Sequence, residues 1–477
     1  MADKRVVIIG GGIAGLAAAH AAAVRARDSG RRISVTVLER SRRFGGNLVT
    51  ERTDGFVIDG GPDSWVSSKP EATALARELG LGSSIVGTNE ATRRYYIAWG
   101  NQLHPVPEGL VLGVPTRVLP LVRSKLFSWT GKARMAMEPL VPVRAFDGDD
   151  DESIADFAAR RLGHEAADRL VAPLLGGITS GDASDVSVRA TFPQLVAMEQ
   201  EQGSLVRGML GLARRRNKAQ GSSAFLSLKE GVGTLVDALV NRLREDGVIL
   251  RSGTAARSLT RDGAGWIVSV ESGESVAADA VILAGPAHVA ARLMDALDGA
   301  LARDLRSIPY GSSATVFFAY RRSEVAHPLD GVGFVVPRAL GRSIRAGTWV
   351  SSKWHGRAPE GYVLLRAFFG GIGGEADLAL DDAGLAALAL RELGVLMGLS
   401  AQPIWFKVFR FDASRAQMRV GHLAKIRAIR ERLGATAPGL RVAFGGFDGD
   451  SIPDSIRQGQ DAGRAMAASG SNRSDSS

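Results

Sequence analysis

The chain has 477 residues, of which 45% are hydrophobic and 23% are charged, so it is long enough for two or more structural units with buried cores. It contains no cysteine, which excludes disulfides, thiol nucleophiles and cysteine-ligated metal centres. The net charge of +9 suits an anionic ligand or an anionic membrane surface. The sequence has no basic patch interleaved with aromatic residues, so we expect no binding of nucleic acid. The 7 histidines lack metal-ligand spacing, so we expect no metal site.

The start of the chain leads directly into an apolar segment, so we expect no signal or transit peptide. No run of about 18 apolar residues follows that could cross a membrane. The sequence therefore predicts a cytoplasmic protein.

The first motif is a dinucleotide-binding pattern. Residues 6–9 are apolar and β-branched, as in a buried parallel strand, and an alanine-rich helix is predicted shortly after them. Between the two, Gly10 permits a tight turn, Gly12 lets a pyrophosphate approach the backbone, and Gly15 lets the helix pack on the strand. The helix N-terminus would add free N–H groups and a partial positive charge. A glycine-rich turn without a ligand is the alternative, but both flanks favour the nucleotide.

The next strand and its turn extend this pattern. Residues 33–38 are predicted to form a second parallel strand that ends at Glu39, whose carboxylate can accept hydrogen bonds from a ribose. An R-x-G-G unit follows, in which Arg43 can reach a phosphate and the glycines Gly45 and Gly46 allow close approach of the backbone. This combination is typical of one group of FAD enzymes rather than of NAD dehydrogenases.

Later segments also run from a predicted strand into a turn. Residues 56–59 lead into the turn 60–64, which is compatible both with a plain turn and with a segment under a flavin ring. Residues 440–444 form another predicted strand, which ends at Gly445. No second G-x-G-x-x-G precedes a helix, so the sequence predicts FAD and no separate NAD(P)H site.

These signals predict a mixed α/β fold in which a discontinuous, Rossmann-like FAD-binding domain carries an inserted mixed-sheet substrate-binding domain and a helical domain. The FAD-binding domain is expected to comprise residues 1–68, 228–288 and 436–470. The substrate-binding domain is expected to comprise residues 69–99, 192–227 and 289–435. The helical domain is expected to comprise residues 100–191, and the serine-rich residues 471–477 are predicted to be disordered.

One part of the predicted helical region has an unusual composition. Residues 107–142 are apolar, are interrupted by Pro115 and Pro120, and carry several arginines and lysines. This pattern predicts short amphipathic helices. Such helices form a pocket wall or a core more often than a membrane-docking surface, and both interpretations stay open.

Further motifs are spread along the chain. They include residues 103–109, the glycine-rich loop predicted for residues 176–182, and residues 454–456. With these motifs the chain resembles the FAD-dependent porphyrinogen oxidases of haem biosynthesis, which comprise protoporphyrinogen IX oxidases and bacterial coproporphyrinogen III oxidases. The resemblance covers nearly the whole chain, and residues 107–134 and 354–367 look most like the coproporphyrinogen branch.

The resemblance implies oxidation of an anionic porphyrinogen to a porphyrin, with six electrons leaving in three flavin cycles, molecular oxygen as acceptor and peroxide as by-product. It implies that Lys69 and Arg94 contact the propionates, although each is also typical of a solvated surface charge. Coproporphyrinogen III is favoured over protoporphyrinogen IX, because it has more carboxylates and the inserted region is rich in basic residues. No general base is implied. The cofactor contacts implied are Gly10, Gly11, Gly12, Ile13, Ala14, Gly15, Glu39, Arg40, Arg43, Gly45, Gly46, Gly60, Gly61, Pro62, Asp63, Ala255, Gly445, Ile452 and Asp454.

Three places depart from the family pattern: Thr179 replaces a usual tyrosine, residues 416–418 replace Pro-Gln-Tyr, and the loop 449–452 is one residue shorter and carries Asp450. Two alternatives therefore stay open. One is another flavoenzyme of similar plan, such as an amine oxidase or a carotenoid desaturase. The other is a non-catalytic binding protein of related fold, such as a GDP-dissociation inhibitor. A homodimer and contact with the inner membrane face are both compatible with the sequence.

Overall fold

The computed structural model describes residues 4–92, 94–179, 181–218 and 223–468. The predicted disordered tail, residues 471–477, lies outside these ranges. The strands are β1 Lys4–Ile9, β2 Ile33–Leu38, β3 Thr50–Thr53, β4 Phe56–Asp59, β5 Trp65–Val66, β6 Ile85–Gly87, β7 Arg94–Trp99, β8 Gln102–Pro105, β9 Leu110–Val111, β10 Val114–Pro115, β11 Phe225–Leu228, β12 Ile249–Arg251, β13 Ala256–Asp262, β14 Gly265–Val270, β15 Ser275–Ala278, β16 Ala280–Leu283, β17 Tyr310–Arg321, β18 Gly331–Val335, β19 Ala346–Trp349, β20 Tyr362–Gly370, β21 Trp405–Ala416 and β22 Leu440–Val442.

The helices alternate with these strands. They are α1 Ile13–Asp28, α2 Glu71–Glu78, α3 Val118–Arg123, α4 Trp129–Ala136, α5 Ile154–Leu162, α6 His164–Ala166, α7 Ala172–Thr179, α8 Val188–Thr191, α9 Pro193–Gln202, α10 Leu205–Lys218, α11 Gly233–Glu245, α12 Ala287–Met294, α13 Gly299–Arg306, α14 Val350–Lys353, α15 Asp382–Met397, α16 His422–Thr436 and α17 Ile452–Ala468. Within the described ranges, none of these helices combines the length and the apolar character that crossing a bilayer requires.

A five-stranded parallel sheet carries the N-terminal motif. Its order is β12-β2-β1-β16-β22, so strands from three distant parts of the chain pair side by side. Gly459 and Gly463 allow helix α17 to pack closely on α1. A Cβ on Gly459 would lie only 2.1 Å from the carbonyl oxygen of Ala14, and a Cβ on Gly463 would lie equally close to that of Ala18. All five strands end at one edge of the sheet, which is where parallel α/β sheets bind ligands.

A seven-stranded mixed sheet forms the second unit, in the order β21-β17-β20-β19-β18-β7-β8. One face packs on α15, where Val316 and Phe318 of β17 and Leu365 of β20 join a core with Leu385 and Leu393. Because side chains alternate along a strand, the residues between them point to the opposite face. That second face is turned toward the parallel sheet and the helical region.

The helical region, from α3 to α10, has an apolar core and a buried charge cluster. The guanidinium of Arg161 donates to the carboxylates of Glu138 and Glu199, and all three side chains are fully buried. The carboxylate of Glu199 also accepts from Arg160 at 2.6 Å, which extends the cluster toward the surface. Opposite charges are therefore paired where the helices meet, as buried charges require.

The predicted mixed α/β class is confirmed. The glycine-rich loop predicted for residues 176–182 is wrong at its start, because α7 continues through Gly176 and Gly177 to Thr179. Leu174 and Leu175 pack in the core of the helical region, and this packing outweighs the poor helix propensity of the two glycines that follow. The expected domain boundaries stay a prediction.

Candidate functional site

The glycines of the N-terminal motif play different roles in the structure. Gly10 has φ +114°, and a Cβ on Gly15 would lie 1.9 Å from the carbonyl oxygen of Gly10, so the turn and the helix contact both require glycine. A Cβ on Gly12 would meet only the Cα of Gly46, at 3.9 Å. The space over Gly12 is thus open on the side where a pyrophosphate would approach.

Helix α1 begins in this open space. Gly12 is its N-cap residue, no side chain caps the helix, and its first turn contains no acidic residue. The next residues, Ile13 and Ala14, are buried and leave the backbone N–H groups at the helix end. These groups and the helix dipole suit a phosphate. The open space over Gly12 and the first turn of α1, called the cradle below, therefore fits a dinucleotide.

Glu39 is held at the end of β2. Its buried carboxylate accepts hydrogen bonds from the N–H groups of Gly11 and Ser41, each at 2.7 Å. A carboxylate offers more acceptor positions than two donors fill, so capacity for ribose hydroxyls is left. The N–H of Thr254 donates to the backbone carbonyl of Glu39 at 2.7 Å, which places the neighbouring Ala255 at the same edge. Arg40, beside Glu39, is exposed.

Arg43 folds back on its own turn. Its guanidinium donates to the carbonyl of Gly46 at 2.6 Å and, more weakly, to that of Leu48 at 3.4 Å. Burial lowers the pKa of Arg43. The N–H of Gly45 donates to the carbonyl of Gly11 at 2.8 Å, so the R-x-G-G turn lies directly against the cradle. Arg43 thus stabilises the turn that borders the open space, and the expected phosphate contact stays a prediction.

Residues 60–63 lie between the segment that follows the R-x-G-G turn and the mixed sheet. A Cβ on Gly60 would lie 2.4 Å from the ring of Phe409, and one on Gly61 would lie 1.9 Å from the carbonyl oxygen of Asn47, so both positions require glycine. The hydroxyl of Thr315 donates to the carbonyl of Gly60 at 2.8 Å. Arg366 donates to the carbonyls of Gly60 and Gly61 at 2.9 and 2.7 Å. The segment is therefore held from both sides.

Asp63 follows Pro62 and ends this segment in a charge cluster. Its carboxylate accepts hydrogen bonds from the ammonium of Lys353, at 2.8 and 3.0 Å, and from the indole N–H of Trp354, at 3.0 Å. Burial tends to raise the pKa of Asp63, but the charges of Lys353 and Arg366 and these hydrogen bonds hold it well below its usual range. Asp63 is therefore an anion with protein partners on this side.

The loop after β22 completes the cradle edge. The hydroxyl of Tyr310 lies 3.3 Å from the carbonyl oxygen of Gly445. A Cβ on Gly445 would lie 2.5 Å from a carboxylate oxygen of Asp450, whose other oxygen is 3.2 Å from Arg415. Burial raises the pKa of Asp450, although Arg415 opposes that shift. The unusual Asp450 is thus tucked against Gly445 and packs inside the shortened loop.

Lys69 and Asp454 meet at the start of α17. The ammonium of Lys69 donates to both carboxylate oxygens of Asp454, at 2.7 and 2.6 Å, and the carboxylate also accepts from the hydroxyl of Ser451. Ile452, at the first position of the helix, is buried. The structure therefore brings together an expected substrate residue and an expected cofactor residue.

Arg94 lies apart from that pair. It makes an ion pair with Asp330 at 2.8 Å, and the hydroxyl of Tyr96 donates to the same carboxylate at 2.8 Å. The pKa of the intervening Tyr95 is raised by burial and by the nearby charge of Asp63. Because alternate residues of a strand point to opposite sides, Tyr95 is directed toward the Asp63 cluster and Arg94 away from it.

The face of the mixed sheet opposite α15 was not predicted as part of the site. It carries Phe317 of β17, Arg366 and Phe368 of β20, and Phe409 of β21. The guanidinium of Arg366 lies 5.1 Å from the ring centre of Phe317 and 4.2 Å from that of Phe368. Phe317 is buried in a cluster with Phe56 and Ile58 of β4, and Phe409 lies against Gly60, whereas Phe368 is only half-buried. Phe368 therefore offers its ring beside the segment 60–63, where it can pack against a planar aromatic ligand. The available signal was a single arginine inside the otherwise apolar strand 362–370.

Comparison with known proteins agrees with this geometry. A family model described as flavin containing amine oxidoreductase matches residues 13–466. The chain is 36% identical over 468 residues to the coproporphyrinogen III oxidase of Bacillus subtilis (strain 168), covering 96% of this chain and 97% of that protein. It is 33% identical over 478 residues to the coproporphyrinogen III oxidase of Staphylococcus aureus (strain NCTC 8325 / PS 47), covering 98% and 99%.

A solved structure has the same overall architecture. The crystal structure of an Exiguobacterium sp. 255-15 protein assigned as a protoporphyrinogen oxidase superposes with a TM-score of 0.87 and 32% identity, covering 98% of this chain and 99% of that one. The family match and these full-length relatives agree with a cradle whose geometry suits a dinucleotide. The chain belongs to the flavin-containing amine oxidoreductases, within the branch of the porphyrinogen oxidases, and it is an FAD-dependent oxidase.

Proposed function

We propose that this protein oxidises coproporphyrinogen III to coproporphyrin III. The observation that carries the proposal is the segment 60–63, which lies between Asn47, beside the R-x-G-G turn, and the mixed sheet, where Thr315 and Arg366 hold it. A macrocycle packed on the half-buried ring of Phe368 would lie beside a flavin bound along this segment. The names of the full-length relatives support the choice of substrate.

In this proposal the protein binds, orients and excludes water, and bound FAD supplies the two-electron acceptor. Gly12 and the first turn of α1 would hold the pyrophosphate, and the carboxylate of Glu39 would accept hydrogen bonds from the ribose hydroxyls. Phe368 packs against the macrocycle on the sheet face, where desolvation strengthens polar contacts. The expected contacts at Ala255, Gly445 and Asp454 complete the cradle edge.

The anionic groups of the substrate need cationic partners, and we propose Lys69 and Arg94 for this role. The ammonium of Lys69 has three donors, of which Asp454 takes two, and its side chain is 45% exposed, so one N–H is available for a propionate. The side chain of Arg94 is 62% exposed and also keeps donors beyond its bond to Asp330, but it points away from the face that carries Phe368. Lys69 would therefore bind a propionate beside the cradle, and Arg94 would bind only a propionate that extends past the edge of the sheet at β8.

We further propose molecular oxygen as the electron acceptor. Conversion of the porphyrinogen removes six electrons and six protons, and each reoxidation of the flavin would reduce one oxygen molecule to hydrogen peroxide. Purified protein reconstituted with FAD should therefore form three molecules of peroxide for each porphyrin, measured by a peroxidase-coupled assay beside porphyrin fluorescence. Porphyrin formation without oxygen consumption would contradict oxygen as the acceptor, and no porphyrin at all would contradict the proposed function.

Peripheral membrane contact is a separate proposal, which an exposed apolar patch supports. The patch comprises the exposed apolar residues of α3, α4 and the segment after α4: Val118, Leu119, Val122, Trp129, Met137, Leu140 and Val143. Val118, Leu140 and Trp129 are 77%, 76% and 71% exposed. The ammonium of Lys132 lies 4.4 Å from the ring centre of Trp129 and bonds to the carbonyl of Val122, which ties the two helices together.

The charge around the patch indicates which kind of surface would cover it. Arg117 directly precedes α3, Arg123 ends it, Lys125 follows, and Lys132 lies in α4 beside Trp129. Exposed apolar residues close to basic residues suit an anionic lipid surface. We therefore propose that α3 and α4 rest on the headgroups of an anionic bilayer. The expected cytoplasmic location and the homodimer stay predictions, and the mass of the protein in solution tests the latter.

A further inference from the structure

A cluster of buried charges includes Asp63, at the end of the segment 60–63, and Asp59, directly before it. Asp59 and Arg357 form an ion pair at 2.9 Å and are almost completely buried. Asp63 and Lys353 form a second pair at 2.8 Å. Arg366 is the fifth charged member, so three cations face two carboxylates. Burial raises the pKa of Asp59 against the charge of Arg357, and the surplus is therefore at least one positive charge.

The surplus charge resides on Arg366. In the part of the chain that the structure describes, no carboxylate lies within 4.0 Å of its guanidinium, and its Nε–H has no hydrogen-bond partner. The side chain is only 5% exposed. Its hydrogen bonds go to the uncharged carbonyls of Gly60 and Gly61. Burial lowers the pKa of Arg366 to about 10, so the group still carries its charge at neutral pH.

Such a charge is costly in isolation. A buried cation without an anion loses its hydration, and proteins usually pair it with a carboxylate. The rings of Phe317 and Phe368 flank the guanidinium and keep water away from it. A cation in a water-poor site acts strongly on any negative charge that forms nearby. The group expected beside residues 60–63 is the flavin, which gains electrons in each cycle.

We propose that Arg366 is a positioning residue that orients residues 60–63 and whose charge stabilises the reduced flavin as an anion. This rests on the proposed FAD site. In each cycle the porphyrinogen would lose two electrons and two protons. Bound FAD would accept both electrons and one proton, and the second proton would leave to solvent. Oxygen would then take the two electrons with two protons, one from the cofactor and one from solvent, and become hydrogen peroxide.

The test compares three variants reconstituted with FAD. Arg366→Met removes the charge at similar length, and Arg366→Lys keeps the charge but loses the forked hydrogen bonding. Arg410→Met is the matched control, because Arg410 lies on the opposite face of the same sheet and pairs with Asp382 near the surface. For each protein we would measure FAD content, the flavin reduction potential against a reference dye, and the affinity for sulfite, which forms an anionic flavin adduct that bleaches the visible absorbance.

The expected pattern separates charge from geometry. Arg366→Met should bind FAD, show a lower potential and bind sulfite roughly tenfold more weakly. Arg366→Lys should stay close to the parent protein, and Arg410→Met should not differ from it. Unchanged potential and sulfite affinity in Arg366→Met would overturn the proposal, as would a loss in Arg366→Lys equal to that in Arg366→Met. A parent protein that binds no FAD would instead contradict the proposed function.

A second measurement, on the parent protein, tests the proposal even if the Arg366→Met variant does not fold or does not bind FAD. The reduction potential of the parent protein is followed at mildly acidic pH, where free reduced flavin carries both protons. The proposal predicts uptake of one proton per two electrons, because the cation replaces the second proton. Uptake of two protons would overturn it.

Discussion

Lys69 and Asp454 are 385 positions apart in the chain, and the ammonium of Lys69 donates to both carboxylate oxygens of Asp454 at 2.7 and 2.6 Å. The pair joins the segment before α2 to the first turn of α17. Asp454 also accepts from the hydroxyl and the N–H of Ser451. The carboxylate of Asp454 therefore keeps hydrogen-bond partners when Lys69 is removed.

Substitution of Lys69 should affect the substrate more than the flavin. Each charge-assisted hydrogen bond contributes about 1.5–3 kcal/mol, so Lys69→Ala should raise KM for the porphyrinogen roughly tenfold or more. Because Ser451 still bonds to Asp454, the visible spectrum of bound FAD should not change. Steady-state kinetics and the flavin spectrum measure the two effects. Lys229→Ala, at an exposed lysine, is the control, and unchanged kinetics in Lys69→Ala would exclude Lys69 from the substrate site.

Two glycines of the N-terminal motif should respond differently to substitution. A side chain at Gly12 enters open space, so Gly12→Val should fold with an unchanged melting temperature of the apoprotein and yield a colourless protein. A Cβ at Gly15 would lie 1.9 Å from the carbonyl oxygen of Gly10, so Gly15→Ala should lower the free energy of unfolding by about 1–3 kcal/mol. Thermal unfolding of both apoproteins and their flavin content test this contrast. Stoichiometric FAD in Gly12→Val would show that the pyrophosphate does not approach there.

The exposed patch on α3 and α4 should promote binding to anionic vesicles. Replacement of Trp129 and Leu140 by serine removes two of its most exposed apolar side chains, so the double variant should sediment less with phosphatidylglycerol vesicles. Val395 and Ile404 are also exposed but lie outside the patch, and their double serine variant is the matched control. Equal sedimentation of the patch variant and the parent protein, or binding of the parent to neutral vesicles alone, would contradict an anionic membrane partner.

His422 should make stability depend on pH in the acidic range. Burial lowers its pKa from 6.5 to about 4, although hydrogen bonds to the carbonyls of Gly446 and Phe447 oppose the shift. The folded protein therefore holds this histidine neutral while the unfolded chain protonates it, and stability falls as pH drops from 6.5 toward 4. The free energy of unfolding should therefore fall by about 3 kcal/mol in total as the pH drops through this range. Urea unfolding across this range should show a smaller loss in His422→Gln, and an identical slope would exclude His422 as the cause.

The sequence predicted the parts of the site that depend on local spacing. The strand, the turn and the helix around Gly10 and Gly15 follow from neighbouring residues, and the structure has them where the pattern placed them. Arg366 could not be found in this way, because its role depends on β20 lying against residues 60–61, about 300 positions earlier in the chain. Only the pairing of distant strands creates that contact.

The side-chain partners were equally hard to foresee. Lys69 was assigned to the substrate alone, and its bond to Asp454 depends on how α17 packs on α1 and α2. Arg43 was expected to face a phosphate, yet in the structure it bonds to the carbonyl of Gly46 within its own turn. Spacing predicts which residues are near one another, but the choice among several acceptors depends on the complete packed structure.

The most direct test of the central claim is a comparison of kcat/KM for coproporphyrinogen III and protoporphyrinogen IX with the FAD-loaded protein, followed by porphyrin fluorescence. The account predicts a higher kcat/KM for coproporphyrinogen III, because the accessible cations Lys69 and Arg94 suit a substrate with more carboxylates. A tenfold preference for protoporphyrinogen IX would contradict it.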